Sequence, residues 1–392
     1  MQVIAQELLL EIIPYLSDSG KLNLIKCSKH TYSFRDLITL SRVYEYDDIM
    51  HSYLGNLISV KKLFLRKKCE FNFTSVHKLN RIFQNENFYN LEVLYIYASE
   101  DIFANGVIFP QLKKLFICLE MKIIPKSRNY FIDKKTLPCL KKLIFDRIDS
   151  SIDPDVLVDL THLVNIRNNR IEKLYLPKLR VLKLGYYFDH YIDFNLIPNL
   201  ITVSLVMHKF DQLIIFLPSS LRNIFFSKCC IPCIPFFNNI QFLNLTELKL
   251  GLFNKSLNEN YFPRLERLTL NETYNLKLNP ENFPSLKYLK MGKEFNQKLG
   301  TFPSLEKLIL GFEYSYPLLK ENFPKLNNLS IKSVYDICLV QMDLPNLLKI
   351  KLLNEDTNIA IRKIIKFSPR LQIIKNGSKI IYYPHQMRMI KN

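Results

Sequence analysis

A nine-residue pattern of apolar positions recurs along most of the chain. It reads as an apolar residue, a proline and then leucines spaced L-x-x-L-x-L, as in FPRLERLTL at 262–270 and FPSLEKLIL at 302–310. Its first leucine recurs at steps of 21, 19, 21 and 21 between Leu265 and Leu347. Close copies begin at residues 109, 137, 176, 197, 262, 283, 302, 323 and 344, and looser copies at 57, 88, 217, 243 and 368.

The spacing within each copy predicts one short β-strand. Side chains alternate along a strand, so the two apolar residues of L-x-L point to the same side. Proline fixes φ and has no amide hydrogen, so it suits the turn before the strand. One short strand cannot bury its apolar side alone, so successive repeats are expected to stack as a parallel sheet of about 15 strands.

Both the period and the motif resemble leucine-rich repeats, which recur at roughly 20 to 29 residues around an LxxLxL core. The resemblance implies an α/β leucine-rich-repeat solenoid with a curved parallel sheet. Several copies continue with a glycine and then FN, as in GLFNKSL at 251–257 and GKEFNQKL at 292–299. This continuation resembles the FNIP-type repeat of amoebal and giant-virus proteins, although no isoleucine-proline pair follows FN here.

The segments between the strands are short, and only two of them show helical spacing. Apolar positions in 75–83 and in 153–163 recur at the helical period, so both are predicted helices. First-leucine steps of 28, 23 and 16 within 112–179 mark an irregular stretch. We expect the solenoid to occupy residues 51–375 and a tail to follow at 376–392.

The first 50 residues follow a different pattern. Leu8, Ile12 and Leu16 are spaced by four and share one face of a predicted helix. The sequence Ser-Asp-Ser-Gly at 17–20 then interrupts this helix, and a second apolar segment begins at Leu22. A piece of about 40 residues is too small for a core of its own, so it needs a partner or the solenoid to cover it.

The segment 4–35 resembles an F-box, with Glu7-Leu8 at the position of its E-[IL] pair and Lys26-Cys27-Ser28-Lys29 at its VCK position. Ala5 and Lys21 depart from the family's proline and aspartate. The resemblance implies docking on a Skp1-like subunit of a ubiquitin ligase. The implied contact residues are Glu7, Leu8, Ile12, Leu16 and Leu22. The alternative is that residues 1–50 only cap the end of the solenoid.

Motifs of common enzymes and metal sites are missing from the sequence. It has no GxGxxG, GxxxxGK[ST] or HExxH motif. Cys229, Cys230 and Cys233 are clustered, but no second pair stands at metal-ligand spacing, so buried reduced thiols are expected. We expect a binding protein without enzymatic activity, cofactor or metal.

The chain is basic, with 54 Lys+Arg against 36 Asp+Glu and a net charge of +18. Such a chain can bind an acidic protein or nucleic acid, or can simply use lysine as its common surface residue. No apolar run reaches the roughly 18 residues of a membrane helix. Glu7 and Glu11 stand where a secretory signal would be apolar. We therefore expect a cytoplasmic protein, in the host cytoplasm if its source is viral.

The residues beside the buried leucines of each strand are expected to form the target-binding surface, on the concave face of the solenoid. Aromatic residues dominate it near the N-terminus and cations near the C-terminus, which suits an acidic protein target. Exposed sheets also favour aromatic residues without any partner. Nucleic acid is the weaker expectation. The residues are Phe64, Tyr95, Tyr97, Phe116, Lys249, Arg267, Lys290, Lys307, Lys349 and Lys351.

Overall fold

The structure is a computed structural model of the 392-residue chain. It divides into two compact units, Met1–Val181 and Leu182–Asn392, which are called the N-terminal unit and the C-terminal unit below. The structure describes residues 8, 11–27, 38–45, 59–66, 90–97, 108–118, 130–146, 150–166, 174–185, 188, 192–205, 209–210, 217–226, 231–232, 242–253, 255–332, 344–352, 372–375, 378–383 and 386–389.

The N-terminal unit is built on parallel strands. They are β1 (Thr39–Glu45), β2 (Ser59–Arg66), β3 (Val93–Tyr97), β4 (Lys114–Cys118), β5 (Tyr130–Ile132), β6 (Lys142–Asp146), β7 (Ser150–Ile152) and β8 (His162–Ile166). β1, β2, β3, β4, β6 and β8 pair in parallel in that order. β5 and β7 form a separate parallel pair.

The C-terminal unit repeats the same arrangement with shorter strands. They are β9 (Val181–Leu184), β10 (Thr202–Leu205), β11 (Lys209–Phe210), β12 (Asn223–Phe226), β13 (Ile231–Pro232), β14 (Glu247–Lys249), β15 (Arg267–Thr269), β16 (Tyr288–Lys290), β17 (Lys307–Leu310), β18 (Asn328–Ile331), β19 (Lys349–Leu352), β20 (Gln372–Lys375), β21 (Ser378–Tyr383) and β22 (Gln386–Met389). β9 pairs with β10, and β10, β12 and β14 to β20 continue in parallel. β21 and β22 are antiparallel, and β11 and β13 form a separate pair.

Every predicted repeat copy contains one strand, so the predicted parallel stacking is confirmed. The repeat copies recognised in the sequence do not include β1 and β8; both segments lack the proline, as do the looser copies at 57, 88 and 243. β1 lies inside the predicted segment 1–50, and β21 and β22 lie inside the predicted tail 376–392. The domain boundaries themselves remain predictions.

The core consists of columns of identical repeat positions. Leu248, Leu268, Leu289, Leu308 and Leu329 face one another from strand to strand, and all are buried. The first leucine of the motif and its last apolar residue, the second of the L-x-L, are also buried in these repeats. The phenylalanines before the prolines add a further layer, in which rings of successive repeats stack. This burial of one apolar side per strand is what neighbouring repeats supply to each other.

Within the described residues, the helices with defined bounds are short. They are α1 (Asp18–Lys26), α2 (Pro154–Asp159) and the 3-10 turns Ile13–Tyr15, Phe194–Leu196 and Pro280–Asn282. The helix predicted over 153–163 ends early, because Leu160 and Leu163 belong to the L-x-x-L of the next repeat and β8 begins at His162. The helix predicted over 75–83 lies outside the described residues.

The irregular stretch of the repeat is shorter than the sequence suggested. Leu163 pairs with Leu143 in the sheet, so Leu160 and not Leu163 occupies the first-leucine position. The predicted steps of 23 and 16 therefore become 20 and 19, from Leu140 to Leu160 to Leu179. Only the 28-residue step from Leu112 to Leu140 is long, and it contains strand β5.

Candidate interaction surfaces

The first helical segment presents apolar side chains to solvent. Leu8 and Ile12 have helical backbone and are 53% and 46% exposed, and Tyr15 in the following 3-10 turn is 90% exposed. Leu16 and Leu22 are half-buried, and Glu7 lies outside the described residues. Of the five predicted Skp1 contacts, Leu8 and Ile12 are therefore the exposed ones. We call Leu8, Ile12 and Tyr15 the N-terminal apolar patch.

The first helical segment ends at Tyr15, one residue before the predicted end at Leu16. Leu16 has extended backbone, with φ −74° and ψ 144°, and Ser17 is the N-cap of α1. The Ser17 hydroxyl accepts a hydrogen bond from the Gly20 amide at 3.2 Å. The Ser-Asp-Ser-Gly sequence thus begins the second helix as well as interrupting the first, because serine at an N-cap satisfies an amide that the helix leaves free.

Helix α1 is attached to strand β1 by two buried charged side chains, Asp18 and Lys21. The pairing of β1 with β2 is interrupted between Leu40 and Val43. The two intervening amides, of Ser41 and Arg42, donate to the Asp18 carboxylate at 3.0 and 2.7 Å. Asp18 therefore satisfies the backbone groups that this bulge leaves unpaired. Lys21 Nζ donates to the carbonyl oxygen of Thr39 at 3.0 Å.

The hydrogen bonds to Asp18 alter the titration of two groups. Burial acts to raise the pKa of Asp18, but the Arg42 and Ser41 amides and the Ser41 and Tyr44 hydroxyls outweigh it and lower that pKa. Burial, together with the hydrogen bond to Asp18, raises the pKa of Tyr44 to about 12. The carboxylate is thus ionised and held by four donor groups. The sequence did not indicate this role, because Asp18 belongs to the Ser-Asp-Ser-Gly segment that was predicted only to interrupt the helix.

In the N-terminal unit, three of the predicted target-binding residues form one contiguous surface. Phe64, Tyr95 and Phe116 stand opposite one another on β2, β3 and β4, and all three are half-buried. The rings of Phe64 and Tyr95 meet edge to face at 6.1 Å, and those of Tyr95 and Phe116 stack at 4.3 Å. Tyr97 lies in β3, and its side chain is outside the described part of the structure.

In the C-terminal unit, the predicted cations are all exposed and lie on both sides of the buried leucine column. Arg267, Lys307 and Lys349 precede the buried residue of their strands, and Lys249, Lys290 and Lys351 follow it. From β14 to β17 each strand contributes one cation, alternately from the two sides. These side chains therefore lie on the solvent side of the sheet, and their role in target binding stays a prediction.

Tyr288 and Glu247, which were not among the predicted target-binding residues, also lie on this surface and make it less uniformly cationic. The Tyr288 ring lies between Arg267, at 4.3 Å from its centroid, and Lys307, at 5.4 Å. Glu247 forms an ion pair with Arg267 at 3.6 Å. Tyr288 and Glu247 occupy the position one residue before the leucine, where β15, β17 and β19 carry Arg267, Lys307 and Lys349. Alignment of the repeat copies would have found both.

The described residues show no clustered metal ligands. Within them, no group of three or more His, Cys, Asp or Glu side chains could hold a metal ion. The cluster of Cys229, Cys230 and Cys233 lies outside the described residues, while Cys27 is exposed and Cys139 is half-buried. None of the helices in the described part is long and apolar enough to cross a membrane.

Comparison with known proteins identifies the fold. No family model matches the chain, and no curated protein matches it. Among solved structures, it is similar to CroV588, described as a novel circular LRR protein structure, with a TM-score of 0.55 and 22% identity. The match covers 74% of this chain and 50% of CroV588, so the chain spans about half the length of that protein. The chain is a leucine-rich-repeat solenoid.

Proposed function

We propose that this protein is the substrate-recognition adaptor of an SCF-type ubiquitin ligase, with FNIP-type repeats and an F-box-like start. The N-terminal segment docks on a Skp1-like subunit, and the solenoid holds a protein target. The chain does no chemistry itself. It raises the concentration of the target at the ligase, because joining two binding sites makes the second encounter intramolecular. Its place of action is the cytoplasm, or the host cytoplasm for a viral protein.

The observation that carries this proposal is the exposure of the N-terminal apolar patch. Leu8 and Ile12 are one helical turn apart, and each leaves about half of its side chain in water. Two aliphatic side chains exposed on one helical face are typical of a surface that a partner covers. Leu8 also stands at the E-[IL] pair of the F-box pattern, and Ile12 is among the contact residues that the resemblance implies.

Helix α1 is attached to the sheet by residues other than those of the N-terminal apolar patch. Asp18, Lys21 and the fully buried Ile25 already attach α1 to the first strand of the sheet. Within the described residues, these contacts between α1 and β1 do not involve Leu8 or Ile12. The exposed side chains of Leu8 and Ile12 are therefore accessible to a partner.

The alternative function is a leucine-rich-repeat interaction module whose N-terminal helices are only a cap. The hydrogen bonds between α1 and β1 support this alternative to the extent that a helix fixed to the first strand covers the end of the sheet. The two functions differ in one respect that can be measured: only the adaptor binds a Skp1-like protein.

The test is co-purification of the full-length protein with a Skp1 homologue. The test variant is Leu8→Asp with Ile12→Asp. The matched control is Val158→Asp with Tyr175→Asp, which places the same charges on exposed apolar residues elsewhere in the N-terminal unit. We expect the native chain and the control to retain Skp1 and the test variant to lose it, with equal circular dichroism spectra. Absence of Skp1 from the native chain would overturn the adaptor proposal and leave the cap.

A further inference from the structure

An apolar column crosses five strands of the N-terminal unit. Phe64, Tyr95, Phe116, Ile144 and Val164 stand opposite one another on β2, β3, β4, β6 and β8. The first four are half-buried, so their outer surfaces face solvent, whereas Val164 is buried. Tyr95 contacts the ring on each side of it, Phe64 and Phe116, and side chains already held by neighbours lose less entropy when a partner packs on them.

A basic column runs beside the apolar one. Lys62, Lys114 and Lys142 lie two residues earlier on β2, β4 and β6, with the buried Val93 at the same position of β3 and His162 at that of β8. Two residues along a strand correspond to about 6.8 Å, so the columns are parallel neighbours. The lysine side chains are half-buried or exposed.

The three lysines, Lys62, Lys114 and Lys142, have no ion-pair partner among the described residues. The nearby Glu92 forms ion pairs with Lys61 and Lys113 instead, at 3.5 Å each, one residue outside the basic column. The surface therefore presents apolar area on one side and positive charge on the other.

These two columns match an extended peptide in size. Five neighbouring strands spaced by about 4.8 Å span about 19 Å. An extended chain covers that distance with about seven residues, and its side chains alternate between two sides. A peptide that lies between the columns can direct apolar side chains to the aromatic column and acidic side chains to the lysines.

We propose that the N-terminal unit binds an extended, acidic segment of a protein target through these two columns, with apolar side chains of the segment seated on Phe64, Tyr95, Phe116 and Ile144. The inference rests on the proposed function in taking the solenoid as the target-binding part. On the cationic surface of the C-terminal unit, the Tyr288 ring is contacted by both Arg267 and Lys307, so it is not an open apolar anchor of this kind.

The ring geometry favours a peptide over single-stranded nucleic acid. Proteins that bind single strands present free aromatic faces on which bases stack. Here Tyr95 and Phe116 cover each other's faces, with an interplanar angle of 16°. The parts of these two rings that remain accessible can pack against aliphatic and aromatic side chains of a peptide.

The experiment is selection of a displayed library of random 12-residue peptides on the full-length protein, without any Skp1 homologue. The binding variant is Lys114→Glu with Lys142→Glu. The matched control is Lys290→Glu with Lys307→Glu, which makes the same charge reversal in the C-terminal unit. Affinities of the most enriched peptide and of a 12-nucleotide single-stranded RNA are then measured by fluorescence anisotropy.

We expect enriched peptides that combine Asp or Glu with apolar residues. Their Kd should rise at least tenfold in the binding variant and stay within twofold in the control. Enrichment of basic peptides, enrichment of nothing, or equal loss in both variants overturns the inference, as does RNA that binds more tightly than the best peptide. Since Skp1 is absent, the adaptor proposal can fail or hold independently of this result.

Discussion

The carbonyl oxygen of Asn271 lies 1.6 Å from the point where a β-carbon on Gly292 would stand. Gly311 repeats the relationship one repeat later, where the same point lies 1.7 Å from the carbonyl oxygen of Gly292. The glycine after the strand is therefore fixed by close approach of successive backbones. Any side chain there would separate the repeats.

We expect Gly292→Ala to destabilise the C-terminal unit by about 3 kcal/mol, because the added methyl group overlaps backbone and not a movable side chain. The measurement is the thermal unfolding midpoint together with hydrogen exchange across 267–311. Lys293→Ala is the control, since Lys293 is the exposed neighbour and should change stability by less than about 0.5 kcal/mol. Equal midpoints for both variants would contradict the close approach.

Replacement of Asp18 should release α1 from β1. Asp18→Ala removes the acceptor of the Ser41 and Arg42 amides, and we expect a local loss of about 2 kcal/mol. Hydrogen exchange of these two amides should accelerate, whereas exchange in β15 and β16 should not change. The control is Glu11→Ala, which alters an exposed carboxylate in the preceding helical segment. Unchanged protection of Ser41 in Asp18→Ala would show that the contact does not hold β1.

The same contact predicts a pH dependence with two limits. The folded pKa of Asp18 is lowered below its ordinary 3.8, so its stabilisation is present above pH 3.8 and lost as pH falls through the lower folded value. The folded pKa of Tyr44 is raised from 10.0 to about 12, so its contribution is present below pH 10.0 and lost as pH rises through about 12. Protection of the Ser41 amide, corrected for intrinsic exchange, should be constant between these limits. A change in the protection of the Ser41 amide near neutral pH would contradict the assignment of the pH dependence to Asp18 and Tyr44.

The asparagine of the FN pair should hold adjacent repeats together. Asn296 Oδ1 accepts from the Ser315 amide and hydroxyl at 3.1 and 3.0 Å, and the Asn296 amide donates to Asn275 at 2.9 Å. We expect Asn296→Ala to cost about 1 kcal/mol and to accelerate exchange of the Ser315 amide. The control is Lys298→Ala at an exposed position, where exchange of Ser315 should not change.

The phenylalanine layer should be the most sensitive part of the core. Phe283 is 1% exposed and stacks on Phe262 at 5.2 Å. We expect Phe283→Ala to destabilise the C-terminal unit by about 4 kcal/mol, because it leaves a cavity between repeats. Tyr261→Ala removes an aromatic ring that is 51% exposed and should cost less than about 1 kcal/mol. Similar midpoints in urea unfolding would mean that the layer is not continuous.

Much of the fold follows from local spacing. The L-x-L alternation placed the strands, and the register it predicted put Phe64 and Tyr95 of β2 and β3 on the solvent side, together with Lys290 of β16. The helix predicted over 153–163 was wrong in its second half, because the same leucine spacing fits both a helix and the start of a repeat. Leu160 and Leu163 suit a helix face as well as an L-x-x-L turn, and only pairing with Leu143 decides between them.

The sequence by itself determined the repeat, its parallel strands and the residues that each strand turns outward, because these depend on side-chain alternation within nine residues. Only the tertiary structure decided which distant groups meet. It brought Asp18 to the bulge of β1, placed Tyr288 between two cations, and set the lysine column beside the aromatic one. Such contacts depend on how segments more than 18 residues apart are stacked, and no local pattern encodes that separation.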